Sequence, residues 1–152
     1  MEEGGKRADF FEVAGQGATR ELCLRVKGYY LGGERVYVLA QSPELAQRVN
    51  DELWTFEEDS FIPHTLCPIS GEVDEPVAVG VAAVNPNRAE RLVVAGNPAQ
   101  ETVLKAACFF NLVTDFVPKG DESATASARL RYKLLRENGF DMAHHPMGGA
   151  RR

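Results

Sequence analysis

Apolar residues along this chain recur with two spacings, and the changes of spacing mark out the elements. Asp9-Phe10-Phe11-Glu12-Val13 is a short apolar run that reads as a first strand, broken by Gly15 and Gly17. Across residues 18–31, Leu22, Val26 and Tyr30 recur at i, i+4 and i+8 with Cys23 beside them, the spacing of one helix face. Gly32-Gly33 stops that helix. Residues 35–40 form a second run with β-forming side chains. Ser42, Pro43 and Glu44 then combine a capping hydroxyl, a proline at the first helical position and an acid in the first turn. The helix they open carries Leu45, Val49 and Leu53 on one face and ends near Trp54.

Residues 55–76, with Pro63, Pro68, Gly71 and Pro76, read as loop. Strands are expected at 77–81 and 91–95, around the turn-forming Asn85-Pro86-Asn87. Residues 99–110 are compatible with two states: alanine and glutamate favour helix, whereas Cys108-Phe109-Phe110 favours strand. Residues 111–117 read as a last strand closed by Pro118. Asp121 and Glu122 open a final helix that Gly139 terminates. Strands alternating with helices imply an α/β fold, a three-layer sandwich whose mostly parallel sheet has helices on both faces. The chain, 1–152, is expected to be one domain with its core at about 9–140 and a mobile tail at 141–152.

Composition narrows the function more than the fold. Hydrophobic residues make up 44% and charged residues 26%, ordinary for a soluble globular domain. The net charge of −5 argues against non-specific DNA binding by the whole surface, which needs clustered lysine and arginine. Cys23, Cys67 and Cys108 are odd in number and form no CxxC, which fits a reducing cytoplasm. Cys23 and Cys108 sit in apolar stretches and read as small core residues. The N-terminus is polar and acidic, and no apolar run is long enough to span a membrane.

Four constellations could carry chemistry. Gly15-Gln16-Gly17 stands where a dinucleotide fingerprint would sit. However, Arg20 occupies the third glycine position, and Gln41 and Ser42 stand where the closing acid should be. The three histidines, His64, His144 and His145, have no ligand spacing, and there is no G-x-S-x-G. His144 and His145 are adjacent and would point apart on a strand. Glu57-Glu58-Asp59 reads as a solvated turn. In the last helix Arg129, Tyr132, Lys133 and Arg136 fall at i, i+3, i+4 and i+7, on one face. Three cations around one ring suit an acidic peptide with a hydrophobic end, or a stacked nucleobase beside phosphates. They equally suit an ordinary solvated face. Finally, Trp54, Phe56, Phe61 and Ile62 gather around a helix end and loop, as core lids or as partner anchors.

Five segments carry a resemblance. Arg35-Val36-Tyr37-Val38-Leu39, Leu53-Trp54, Ser60-Phe61-Ile62-Pro63-His64, Asp115-Phe116-Val117-Pro118, and Ala128-Arg129-x-Arg131-Tyr132-Lys133-x-x-Arg136-x-x-Gly139-Phe140 occur in this order. Together they resemble the chi subunit family of bacterial DNA polymerase III, over about residues 9–140. The resemblance implies a Rossmann-like shape without a nucleotide, and a non-catalytic adaptor of the clamp loader with no cofactor and no metal. It implies that Val117, Arg129, Tyr132, Lys133 and Arg136 bind the acidic, hydrophobic-ended C-terminal tail of single-stranded DNA-binding protein. Val117 and Tyr132 would cradle the last aromatic side chain, and the cations would hold the acids. It implies a second surface, at Trp54, Phe61, Ile62 and Pro63, for the psi subunit or a repair helicase. DNA would be met only indirectly, and the protein would be cytoplasmic. The chain departs from the family at Ser123-Ala124-Thr125-Ala126, which lacks a lysine often found there, in segment 68–90 and beyond Phe140. A Rossmann-type nucleotide-binding enzyme and a direct single-strand binder are the alternatives.

Overall fold

A computed structural model describes residues 5–67 and 71–147. In chain order it comprises β1 (Arg7–Ala14), a 3-10 turn (Gly15–Gly17), α1 (Ala18–Leu31), β2 (Val36–Ala40), α2 (Pro43–Thr55) and β3 (His64–Leu66). Then follow β4 (Val77–Gly80), β5 (Arg91–Ala95), α3 (Gln100–Ala107), β6 (Leu112–Lys119), α4 (Glu122–Glu137) and β7 (Asp141–His145). The strands form one seven-stranded sheet in the order β3-β4-β2-β5-β6-β1-β7. Every pairing in it is parallel. This is the expected three-layer α/β sandwich with a Rossmann-like shape.

Side-chain alternation along the strands divides the core into two layers. Val36, Val38 and Ala40 of β2 join Val93 and Ala95 of β5 on one face. There they meet Leu22, Cys23 and Val26 of α1 and Ala46, Val49 and Leu53 of α2. Tyr37 and Leu39 face the other way with Leu92 and Val94, against Val103 and Ala106 of α3 and Ala128 and Leu135 of α4. Both faces of the central strands are buried, which explains their unbroken apolar runs.

The helix ends are set by local chemistry. Ser42 Oγ accepts the Leu45 amide at 3.1 Å, and Asp121 Oδ1 accepts the Ala124 amide at 3.1 Å. At the C-terminus of α4, Gly139 adopts φ +93°. The Phe140 amide donates to Leu135 O and the Gly139 amide to Arg136 O, a Schellman pairing that reverses the chain. Phe140 and Leu135 are both buried beneath it.

Three expectations are corrected. The segment 99–110 resolves as helix α3, because Val103, Ala106 and Ala107 at helical spacing bury against the sheet; Cys108-Phe109 follow it as a turn, and Cys108 is exposed rather than in the core. His64–Leu66, inside the expected loop, pairs with β4 as a short edge strand. The expected mobile tail begins with a strand instead: β7 runs parallel to β1, with Arg7 opposite Asp141 and Phe11 opposite His145. The Schellman turn aims the chain there. His144 and His145 do point apart, one to each face of the sheet. His144 Nε2 lies 2.9 Å from Glu12 Oε2, and His145 Nε2 lies 2.9 Å from Asp9 Oδ1. The expectation for residues 148–152, like that for Pro68 within segment 68–90, lies outside the described residues.

Candidate functional site

A small cavity of about 290 Å³ lies where α4 crosses β1, β6 and β7. Phe10, Val117, Ala128 and Tyr132 supply its apolar wall. Phe10 and Tyr132 meet edge to face, with centroids 5.2 Å apart at 69°. Glu12, Lys119, Arg129 and His144 supply the charge and polarity around it. Parallel pairing places Glu12 beside Val117 and Phe10 opposite His144, so three strands contribute to one wall. The cavity shares Lys119 and Arg129 with a wider depression at the start of α4, lined also by Asp121, Glu122 and Thr125.

Of the five residues expected in a peptide pocket, Val117, Arg129 and Tyr132 line this cavity. Arg136 stands at its margin, its guanidinium 6.0 Å from the Tyr132 ring centroid, the outer limit of a cation–π contact. Lys133 is exposed on the same helix and does not line the cavity. Arg129, Lys133 and Arg136 are all solvent-facing, so their charges are free to meet an approaching anion. Sequence reasoning did not assign Phe10, Glu12, Lys119 or His144 to this site: Phe10 and Glu12 lie on β1, more than a hundred residues before α4, and Lys119 and His144 lie on the strands either side of α4, whose pairing with β1 is not written in local spacing. An acid inside an apolar strand, as Glu12 is, was the available signal.

Glu12 is held on several sides. Its Oε1 accepts the Met147 amide at 3.2 Å, and Lys119 Nζ stands 3.9 Å from Oε2, beside His144. The Met147 amide, aided by Lys119 and His144, keeps the Glu12 carboxyl below its ordinary value against the push of partial burial. On the opposite face, burial alone would raise the Asp9 carboxyl. Hydrogen bonds from Arg7 and His145 outweigh burial and hold it low. His145 also stacks on Phe11 at 4.3 Å.

The quoted α4 motif contains a residue of another kind. Arg131 is 1% exposed and donates through Nε to Asp115 Oδ2 at 2.7 Å and through Nη2 to Asp115 Oδ1 at 3.0 Å. Its Nη1 donates to Asn97 Oδ1 at 2.9 Å. Asp115, fully buried, also accepts the Phe116 amide at 2.7 Å. The D-F-V-P and A-R-x-R-Y-K segments are therefore joined by a buried fork-to-fork ion pair that clamps α4 onto β6.

At the far edge of the sheet, Trp54 is 52% and Phe61 is 68% exposed, with ring centroids 6.0 Å apart. Pro63 is half-buried next to them. Ile62 is corrected: it is 1% exposed and belongs to the core beneath α2, as does Phe56. His64 is buried with its ring nitrogens against Ile62 O and Asn50 O, which ties the loop to α2.

The remaining constellations separate. Gly15 and Gly17 lie in a 3-10 turn without positive φ, and a Cβ at either would meet nothing within 4 Å. Neither glycine is required by the turn. Glu57 is paired with Lys27 of α1, away from Glu58 and Asp59, which are exposed. Burial pushes the Cys23 thiol up to about 12, as suits a core residue. Among the described residues no helix is long and apolar enough to cross a membrane.

Comparison with known proteins bears on the whole chain. The C-terminal domain of the DEAD-box protein Dbp5 superposes with a TM-score of 0.60 over 94% of this chain and 91% of its own, at 11% identity, a likeness of fold alone. The DNA polymerase III subunit chi of Haemophilus influenzae is 28% identical over 127 residues, covering 83% of this chain and 85% of its own length. That of Escherichia coli is 27% identical over 131 residues, covering 86% of each. That of Pseudomonas aeruginosa is 24% identical over 145 residues, covering 91% of this chain and 95% of its own. The model of the family described as DNA polymerase III chi subunit, HolC, matches residues 6–143, from the start of β1 into β7. With a match of that extent, the chain belongs to the DNA polymerase III chi subunit family.

Proposed function

We propose that this protein is a non-catalytic adaptor of the DNA polymerase III assembly in the cytoplasm. In this reading the cavity under α4 captures the acidic, hydrophobic-ended C-terminal tail of single-stranded DNA-binding protein and so links it to the clamp loader. The observation that carries the reading is the juxtaposition in one cavity of an apolar wall, Phe10, Val117 and Tyr132, with the exposed cation Arg129. The terminal aromatic side chain of the tail would sit against Val117 and Tyr132. Its carboxylates would meet Arg129 and Lys119, with Lys133 and Arg136 drawing the acidic stretch toward α4 by longer-range attraction. The depression that shares Lys119 and Arg129 with the cavity offers room for the rest of the tail.

Trp54, Phe61 and Pro63 would form the second surface, for a psi subunit or a repair helicase. Adjacent exposed aromatic rings are the side chains that most often anchor an interface. The two surfaces lie toward opposite edges of the sheet, which suits an adaptor that holds two partners at once. DNA would be reached only through them.

Titration of a fluorescent peptide carrying the tail of the host's single-stranded DNA-binding protein tests this. Saturable binding that weakens with salt is expected, and Arg129→Ala should weaken it about tenfold or more, the worth of a lost charge-assisted bond. Equal binding by wild type and Arg129→Ala would place the site elsewhere.

A further inference from the structure

We propose that β7 completes the peptide cavity and that His144 sets its charge, so that capture of an acidic tail tightens as His144 gains a proton. This rests on reading the cavity as an acidic-peptide site, and makes His144 a positioning residue for that site.

The charged groups that line the cavity come from four elements: Glu12 of β1, Lys119 of β6, Arg129 of α4 and His144 of β7. Tyr132 of α4 faces the same space. Glu12 is the anomaly, a carboxylate in the wall of a site for carboxylates. Its side chain is 17% exposed and sits against His144 Nε2 at 2.9 Å and Lys119 Nζ at 3.9 Å. With His144 neutral, two cations offset one carboxylate, and the His144 ring can donate only a neutral hydrogen bond to Glu12. With His144 protonated, the Glu12–His144 pair carries no net charge, and Lys119 and Arg129 are left to the ligand. The His144 side chain is 45% exposed, so protons reach it from solvent. Its neighbours on β7 do not compete for Glu12: His145 points to the other face and is bound to Asp9, and Asp141 lies at the far end of the strand.

The test measures the affinity of the same tail peptide between about pH 5.5 and pH 8.5, the range in which imidazole is the side chain that changes charge. The peptide's own carboxylates stay ionised throughout. Wild type is expected to bind roughly fivefold tighter at the acid end, the effect of one added charge at a partly exposed site. His144→Gln should bind at the weak limit with a flat profile. His144→Lys should bind at the tight limit at every pH, a rescue that a purely structural role would not produce. His145→Gln should keep the wild-type profile. Binding with a flat wild-type profile, or a wild-type profile in His144→Gln, overturns this assignment alone. Absence of binding at every pH overturns the peptide reading and this assignment with it.

Discussion

Arg129 and Arg131 stand two residues apart on α4 and have opposite fates. Arg131 turns inward, 1% exposed, with Nε and Nη2 on Asp115 and Nη1 on Asn97. Arg129 turns outward, beside a cavity, and carries no ion pair among the described residues. The helical rotation of about 100° per residue sends positions two apart to different sides. One segment therefore faces two ways: its inner arginine holds the helix to the sheet, and its outer Arg129 and Tyr132 line a cavity. A short motif of this kind does not by itself say which of its members recognise a ligand.

The largest expected effect is on the inward side. Asp115→Ala leaves Arg131 as a buried charge with its carboxylate partner gone, and should lower unfolding free energy by about 3–5 kcal/mol. Urea denaturation followed by circular dichroism measures it. In the same experiment Arg129→Ala should shift stability by less than about 0.5 kcal/mol. If the two variants lose stability equally, the division between the sides of α4 is wrong.

A smaller effect concerns how β7 is tied to β1, and so how the outer site is built. The Asp9 and Glu12 carboxyls are held low in the folded protein. They therefore bind protons less readily than in the unfolded chain, and stability rises with pH between the two values. Their contribution is complete above the ordinary carboxylate range, about pH 4, and is lost as pH falls through the depressed folded values. Thermal unfolding of a Glu12→Gln, Asp9→Asn double variant should show a shallower acid limb than wild type. An unchanged limb would mean that these contacts do not hold β7.

The smallest effect is expected at the other edge of the sheet. Trp54→Ala removes an exposed ring that touches Phe61 and His64, so stability should fall by no more than about 1 kcal/mol. Tail-peptide affinity should not change. Altered peptide binding in this variant would show the two surfaces to be coupled rather than independent.

Much of this was legible in order along the chain. The helix at 18–31, the Ser42-Pro43 start, the strands near 77–80 and 91–95 and the Asp121 cap follow from spacing and local chemistry, which involve residues close in sequence. The face formed by Arg129, Tyr132, Lys133 and Arg136 was legible for the same reason. What local pattern did not determine was the partner of each segment. Asp141–His145 has a polar composition that names no element, and it becomes a strand because β1 offers an unpaired edge and two carboxylates that hold its histidines. Ile62 and Phe61 are neighbours of similar character, and only packing under α2 puts the first in the core and leaves the second exposed. Asp115 and Arg131 stand sixteen residues apart with nothing local to link them, and only the packing of α4 on β6 brings them together. Periodicity is a property of consecutive residues. The cavity is made by residues from β1, β6, α4 and β7, whose meeting depends on the sheet order, and so only the tertiary structure decided which charges surround it.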